Sequence, residues 1–231
     1  MTDHLPALPE DQISTVLVVV AHPDDAEYGL SAAVSRWVRG GISVSYLLLT
    51  SGEAGMQIPP EEVGPLRAAE QRAACNTVGV DDLVILDHPD GMLHDHMALR
   101  KDIARRIRQV RPDAVVTMSW AVEVGWGLNQ ADHRVAGLAT LDAVRDADNT
   151  WVFRELATDE NLPKWGTRWR GLTPDLGHAD SSMNAGEARI QGWQGRTTPT
   201  SSGGGRWTCT NRRLARRSRA SRSISGSPGV R

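Results

Sequence analysis

The sequence of 231 residues has only two cysteines, no long apolar run and no visible leader. Cys75 and Cys209 are too few for a disulfide framework, and Cys75 falls in a helical pattern, so a reducing compartment is the simpler expectation. No apolar run approaches the roughly 18–20 residues that span a bilayer. The first twelve residues, MTDHLPALPEDQ, lack the basic and then apolar stretches of a signal peptide. These absences predict a soluble, cytoplasmic protein without a membrane partner.

The net charge of −2 conceals an uneven distribution. Residues 164–231 hold 13 basic and 3 acidic side chains, whereas residues 1–163 hold 13 and 25. Such a basic half is typical of proteins that bind nucleic acids or anionic surfaces. Its Arg-, Gly-, Ser- and Thr-rich sequence shows no sustained period, so it cannot bury enough apolar surface to order itself. We predict an N-terminal extension over residues 1–12, one domain over 13–165 and a poorly structured basic C-terminal tail over 166–231.

Strand and helix patterns alternate over residues 15–150. Apolar runs predict strands at 15–21, 43–50, 82–87 and 113–119, and amphipathic patterns predict helices at 29–41, 61–79, 98–110 and 131–147. The alternation indicates βαβ units and therefore an α/β fold, a Rossmann-like three-layer sandwich with a mostly parallel sheet. Ligands of such sheets bind at the carboxyl ends of the strands. The polar sequences HPDD, SGEAG, DHPDG and SWAVEVGWGLNQADH follow the four predicted strands at that edge.

The segment HPDD ends a buried strand with one imidazole and two carboxylates. His22 and Asp25 are three residues apart at a strand-to-helix turn, so they can face one point and share a metal ion. A catalytic Zn²⁺ site takes three protein ligands and keeps one position open for water. His133 in NQADHR supplies a third ligand from the fourth strand end, and Asp24 is left to act as general base. Both Zn²⁺ and Fe²⁺ suit these ligands.

Each of these residues also has a purely structural interpretation. Asp24 or Asp25 would cap the following helix, a common role of aspartate at that position. His133 would be a polar residue in a helical first turn. Capping needs one carboxylate, however, and not two carboxylates and a histidine, so the joint pattern favours a metal site.

Five motifs resemble those of the LmbE/PIG-L family of zinc-dependent N-deacetylases: VVVAHPDDAEYG, TSGEAG, PLRAAEQRAA, LDHPDG and NQADHRVAG. The resemblance covers about residues 13–165. It implies that His22, Asp25 and His133 bind the metal and that Asp24 is the base. The expected reaction is removal of an acyl (acetyl) group from a small N-acetylated amino sugar or related amide, which leaves acetate and a free amine.

The resemblance also implies two substrate contacts. Arg67 in PLRAAEQRAA matches an arginine that contacts the substrate, and Asp90 in LDHPDG matches a position that lines the same pocket. The structural alternatives are a solvated helix residue for Arg67 and a turn residue before Gly91 for Asp90.

The sequence departs from the family pattern near the last ligand. Many members carry a histidine at the position of Gln130, and Gln130 can donate a hydrogen bond to an oxyanion but cannot transfer a proton. The resemblance implies that Asp132 orients or electrostatically tunes the site. His88 is a further candidate at the same edge, whereas His94 and His96 precede a helix and are expected to be exposed loop residues.

The C-terminal sequence leaves other functions open. From about residue 167 the composition resembles translation of GC-rich DNA in a shifted frame, so we expect it not to be the family's C-terminal region. A catalytically impaired deacetylase remnant is one alternative. A non-enzymatic module whose basic tail binds nucleic acid is another, although that binding would be salt-dependent and non-specific at most. A dinucleotide-binding module is disfavoured because HPDDAEYG lacks the glycines of G-x-G-x-x-G.

Overall fold

The computed structural model describes residues 8–94, 96–124 and 127–172, with the backbone alone for residues 96 and 169–172. The predicted tail beyond residue 172, most of the predicted N-terminal extension, Cys209 and the His96 side chain lie outside this description.

Strands and helices alternate through the described chain, in agreement with the sequence pattern. In chain order the elements are β1 (Thr15–Val20), α1 (Asp25–Arg39), β2 (Ser43–Leu48), α2 (Pro60–Val78), β3 (Asp82–Ile85), α3 (His96–Val110), β4 (Ala114–Thr117), β5 (Glu123–Val124), β6 (Gly127–Leu128), α4 (Ala131–Ala147), α5 (Arg154–Thr158) and β7 (Trp169–Leu172).

Five of the described strands form one parallel sheet in the order β3-β2-β1-β4-β7. β1 lies at the centre, where Val18 stands opposite Tyr46 of β2 on one side and Val116 of β4 on the other. α1 packs against α2, and α3 against α4. Right-handed crossovers that run first to one side of β1 and then to the other place these pairs on opposite faces of the sheet. The predicted three-layer α/β sandwich is therefore what the chain forms.

The apolar residues of β1 are buried on both faces of the sheet, as its continuous Val and Leu run predicts. Trp37, Tyr46 and Ile103 are among the largest side chains that are fully enclosed with them. On the α4 face, a Cβ added at Gly137 would overlap the backbone carbonyl of Met118, just after β4. Glycine at that position lets α4 approach β4 closely.

Some elements differ from the pattern that the sequence predicts. α1 begins at Asp25, four residues before the predicted start, and the sequence pattern predicts neither the β5–β6 hairpin nor α5. The sheet also extends past residue 165, because β7 pairs in parallel with β4. Within the described residues, no helix has both the length and the apolar character that crossing a membrane requires.

Candidate metal centre

The turn after β1 brings His22 and Asp25 together. The Asp25 carboxylate at the start of α1 accepts a hydrogen bond from the His22 backbone N–H at 2.8 Å. The same oxygen, Oδ2, lies 3.4 Å from His22 Nδ1. Asp24 is the residue that precedes the helix, and its side chain makes no capping hydrogen bond. The HPDD carboxylates are therefore not explained by helix capping.

His133 completes the group from the first turn of α4. Its Nε2 lies 3.1 Å from Asp25 Oδ1, and the centroids of the His133 and His22 rings are 5.3 Å apart. One ligand atom of each of these three residues lies within 4.8 Å of those of the other two. The strand order reverses at β1, with β2 on one side and β4 on the other, so the loops after β1 and β4 open a crevice between them.

The charges of the group suit a cation. Burial works against ionisation of Asp25, yet hydrogen bonds with His133 and His22 hold the pKa of its carboxyl at about 2. Burial also works against protonation of His22, but the neighbouring carboxylates of Asp25, Asp90 and Asp132 raise the pKa of its imidazole. Asp25 is therefore ionised at neutral pH, which is the form that binds metals.

A second group of carboxylates lies behind His22. His22 Nε2 is 3.0 Å from Asp90 Oδ1 and 3.4 Å from Asp132 Oδ2, and all three residues are buried. Two backbone N–H groups after β3 donate to Asp132 at 2.8 and 3.3 Å, and Ala54 N–H donates to Asp90 at 2.9 Å. Both carboxylates are thus held by backbone donors as well as by the histidine.

The two groups differ in how well they fit a catalytic metal. His22, Asp25 and His133 combine two imidazole nitrogens with one carboxylate, a donor set typical of hydrolytic zinc, and two of the three are only partly buried. The group of His22, Asp90 and Asp132 is fully buried. It resembles the carboxylates that usually orient a metal-binding histidine through its other ring nitrogen.

Asp24 and Arg67 form an ion pair beside this group. Arg67 Nη2 donates to Asp24 Oδ2 at 2.9 Å and to the Pro23 carbonyl at 2.7 Å, and Nη1 donates to the Gly52 carbonyl at 3.1 Å. The Arg67 side chain is only 13% exposed, whereas that of Asp24 is 55% exposed. Burial raises the pKa of the Asp24 carboxyl, and Arg67 opposes this. Arg67 is therefore not the solvated helix residue of the structural alternative.

The contacts described for the remaining candidates are with residues outside the metal group. Gln130 is exposed and precedes α4, where its carbonyl accepts from Arg134 N–H. His88 Nε2 lies 3.0 Å from Asp102 Oδ2 on α3, so His88 pairs outside the metal group. His94 is exposed, with Nδ1 2.7 Å from the Met92 carbonyl, in line with the expected loop position.

Gln71 of α2 contacts the HPDD turn, and no sequence motif singles it out. The only signal was its spacing: it lies one helical turn after Arg67 and thus on the same face of α2.

The sequence model of the PIG-L family, described as GlcNAc-PI de-N-acetylase, matches residues 17–144, which is more than half of the chain. The chain belongs to the PIG-L family. The matched residues contain His22, Asp25 and His133 as well as Asp24 and Arg67. Deacetylases of the PIG-L family depend on a metal ion, and the His and Asp group found here could bind one.

Two curated relatives are similar in sequence. The diacetylchitobiose deacetylase of Thermococcus kodakarensis is 32% identical over 140 residues, which is 59% of this chain and 51% of the relative. The 1D-myo-inositol 2-acetamido-2-deoxy-alpha-D-glucopyranoside deacetylase of Kineococcus radiotolerans is 32% identical over 168 residues, 58% of this chain and 45% of the relative. The chain thus spans about half the length of the curated relatives it matches.

The chain also shares its fold with a solved structure. The N,N'-diacetylchitobiose deacetylase of Pyrococcus horikoshii superposes with a TM-score of 0.66 at 22% identity, over 71% of this chain and 62% of that chain. This confirms the predicted α/β fold with its mostly parallel sheet.

Proposed function

We propose that this protein is a metal-dependent N-deacetylase that removes an acetyl group from an N-acetylated amino sugar. The observation that carries the proposal is the group of His22, Asp25 and His133 at the crevice between β1 and β4, with Asp24 beside it. The family match and the deacetylase relatives support the same reaction class. The family match does not favour a nucleic-acid-binding module.

We propose Zn²⁺ as the bound ion, with Fe²⁺ as the alternative, held by His22, Asp25 and His133. Two imidazoles and one carboxylate suit either ion and leave room for water and substrate. A divalent ion in that place supplies Lewis acidity toward the acyl carbonyl and acidifies water. Asp90 and Asp132 orient His22 through its Nε2.

The chain's own residues divide the remaining chemistry. Asp24 accepts a proton from the attacking water while the water oxygen bonds to the acyl carbon. It then returns that proton to the amide nitrogen as the C–N bond breaks. The acetic acid that forms gives up its proton to water at neutral pH, and acetate and the amine leave. Arg67 holds the Asp24 carboxylate in one direction through its 2.9 Å hydrogen bond and borders the sugar. Gln130, exposed at the start of α4, donates a hydrogen bond to the developing oxyanion.

The test measures zinc affinity and deacetylation of N,N'-diacetylchitobiose and N-acetylglucosamine in the wild type and three variants. His133→Ala removes a ligand and should weaken zinc binding at least about 100-fold, since a three-ligand site loses one of its donors. Asp24→Asn should bind zinc normally and lose turnover by about 100-fold or more.

His88→Ala is the matched control, since it removes an imidazole that pairs with Asp102 outside the metal group. It should leave zinc affinity and turnover unchanged. Equal zinc binding in the wild type and His133→Ala would contradict the metal site. Zinc binding with no release of acetate from either substrate would contradict the proposed reaction.

A further inference from the structure

Asp24 has a backbone conformation that is uncommon for residues other than glycine. Its φ is +82°, in the left-handed region. That region is unfavourable for most L-residues, although aspartate and asparagine enter it more often than the others, and a strained conformation persists only where the surroundings hold it. A contact with the Asp24 peptide group would stabilise this conformation, in addition to the contact between Arg67 and the Asp24 carboxylate.

Gln71 on α2 contacts the Asp24 peptide group. Its Oε1 accepts a hydrogen bond from the Asp24 backbone N–H at 3.1 Å, and its Nε2 donates to Glu27 Oε1 at 2.8 Å. Gln71 is 3% exposed. A backbone donor on one side and a carboxylate acceptor on the other fix the orientation of the amide, because only the oxygen can accept and only the nitrogen can donate.

The two contacts of α2 hold different parts of Asp24. Arg67 donates to the Asp24 carboxylate, and Gln71, four residues later, accepts from the Asp24 main chain. Glu27, on the first turn of α1, fixes the Gln71 amide from the other side. α2 thus holds Asp24, the proposed general base, both at its carboxylate and at its peptide group.

We propose that Gln71 is a positioning residue that acts through the Asp24 peptide group, and that Glu27 holds Gln71 in place. This inference rests on the proposed function, because Gln71 affects turnover only if Asp24 is the general base. In the described part of the chain the hydrogen-bond partners of Gln71 are Asp24, Glu27 and Cys75, none of which is a proposed metal ligand.

The pair of Gln71 and Glu27 allows a donor swap. Gln71→Glu keeps an acceptor for the Asp24 N–H but places a second carboxylate against Glu27. In the double variant Glu27→Gln/Gln71→Glu, the new carboxylate accepts from both the Asp24 N–H and the amide at position 27. Both hydrogen bonds are then restored with the donor and acceptor exchanged.

The experiment measures hydrogen exchange at the Asp24 amide by NMR, together with kcat, KM and zinc affinity. Gln71→Leu removes the acceptor, so Asp24 amide protection and kcat should each fall about tenfold, which corresponds to one lost hydrogen bond. KM and zinc affinity should stay within about threefold, because the metal ligands keep their own contacts. Gln71→Glu should behave like Gln71→Leu, and the double variant should return to near wild-type values.

Glu70→Gln is the control, since it changes an exposed neighbour on α2 and should alter none of these values. Unchanged Asp24 protection in Gln71→Leu, or a double variant no better than Gln71→Glu, would overturn the proposal. The double variant decides the matter even if Gln71→Leu fails to fold. Because amide exchange needs no substrate, it gives an answer even if the wild type releases no acetate.

Discussion

His22 presents its two ring nitrogens to two different sets of partners. Nδ1 lies 3.4 Å from Asp25 Oδ2, on the side of the candidate metal group. Nε2 lies 3.0 Å from Asp90 and 3.4 Å from Asp132, and both of these carboxylates are buried. A carboxylate on one nitrogen fixes the orientation of the ring and makes the other nitrogen a better ligand. We therefore expect Asp90 and Asp132 to affect metal affinity, although neither belongs to the proposed ligand set.

Asp90→Ala should therefore weaken zinc binding by about 10–100-fold, as loss of a carboxylate behind a metal-binding histidine typically does. Asp90→Asn should lose less, because its amide oxygen still accepts from His22. Competition titration with a zinc chelator measures both. Asp87→Asn alters an exposed carboxylate nearby and serves as the control. An unchanged zinc affinity in Asp90→Ala with a raised KM would show that Asp90 contacts substrate instead.

Gly52 sits against the guanidinium that holds Asp24. Its φ is +66°, and a Cβ added there would overlap the Arg67 guanidinium. Gly52→Ala should lower the free energy of unfolding by about 1 kcal/mol or more through backbone strain and should also lower kcat by displacing Arg67. Urea unfolding and steady-state kinetics measure the two effects.

Gly41→Ala is the matched control for Gly52→Ala. Gly41 has a φ of +86°, but a Cβ there meets nothing within 4 Å. Gly41→Ala should lower the free energy of unfolding through backbone strain but leave kcat unchanged. Equal kcat in the wild type and Gly52→Ala would indicate that Arg67 is not needed to hold Asp24.

Candidate residues cluster at the N-terminus of α4. Asp132 and His133 lie in its first turn, and Gln130 precedes it. The distance of α4 from the sheet is set by Gly137, one helical turn after His133, because a side chain there would overlap the Met118 carbonyl. The position of His133 thus depends on the close approach that Gly137 allows, one helical turn away.

Gly137→Ala should push α4 away from β4. We expect a loss of about 1–3 kcal/mol in the free energy of unfolding, the usual cost of forcing extra atoms into a packed interface. Zinc affinity should fall as well, because His133 moves with the helix. Leu138→Ala, at a 40% exposed position on the same helix, should change neither quantity appreciably. Wild-type zinc affinity in Gly137→Ala would show that α4 adjusts without moving His133.

Sequence periodicity predicts elements well only where they are long. The Val-rich run of β1 and the amphipathic face of α3 indicate their structure directly, and both lie where they were expected. The β5 and β6 strands have two residues each, too few for any period. β7, with the sequence WRGL, lacks the apolar run of a buried parallel strand, so its pairing with β4 comes from tertiary structure.

At the level of the whole molecule, the candidate metal group is assembled from distant parts of the chain. His22 and His133 are brought together by the parallel pairing of β1 with β4. The unfolded chain has no such grouping, so metal binding should favour the folded state.

Zinc should raise the thermal stability of the wild type. At a free zinc concentration 100 times the dissociation constant, binding to the folded state alone adds about 2.7 kcal/mol. Calorimetry with and without zinc measures the effect, and the chelator EDTA should reverse it. His133→Ala should show little shift under the same conditions, whereas an equal shift in that variant would mean that zinc binds elsewhere.

The grouping of His22, Asp25 and His133 could be predicted from the sequence because all three follow strands that end at one edge of a parallel sheet. Their metal-binding role stays a prediction. The contacts of Gln71 and Asp90 could not be predicted in the same way. They depend on the rotation of α2 about its axis and on the path of the loop after β3, which no short-range pattern specifies.

The left-handed φ of Asp24 restricts which amino acids can replace it. Asparagine and glycine adopt that conformation readily, whereas β-branched residues do so rarely. In a library of all substitutions at position 24, the variants that still load zinc should be enriched in these two. Only aspartate should also turn over substrate. Asparagine at position 24 is therefore the natural choice for capturing an uncleaved substrate in an otherwise intact site.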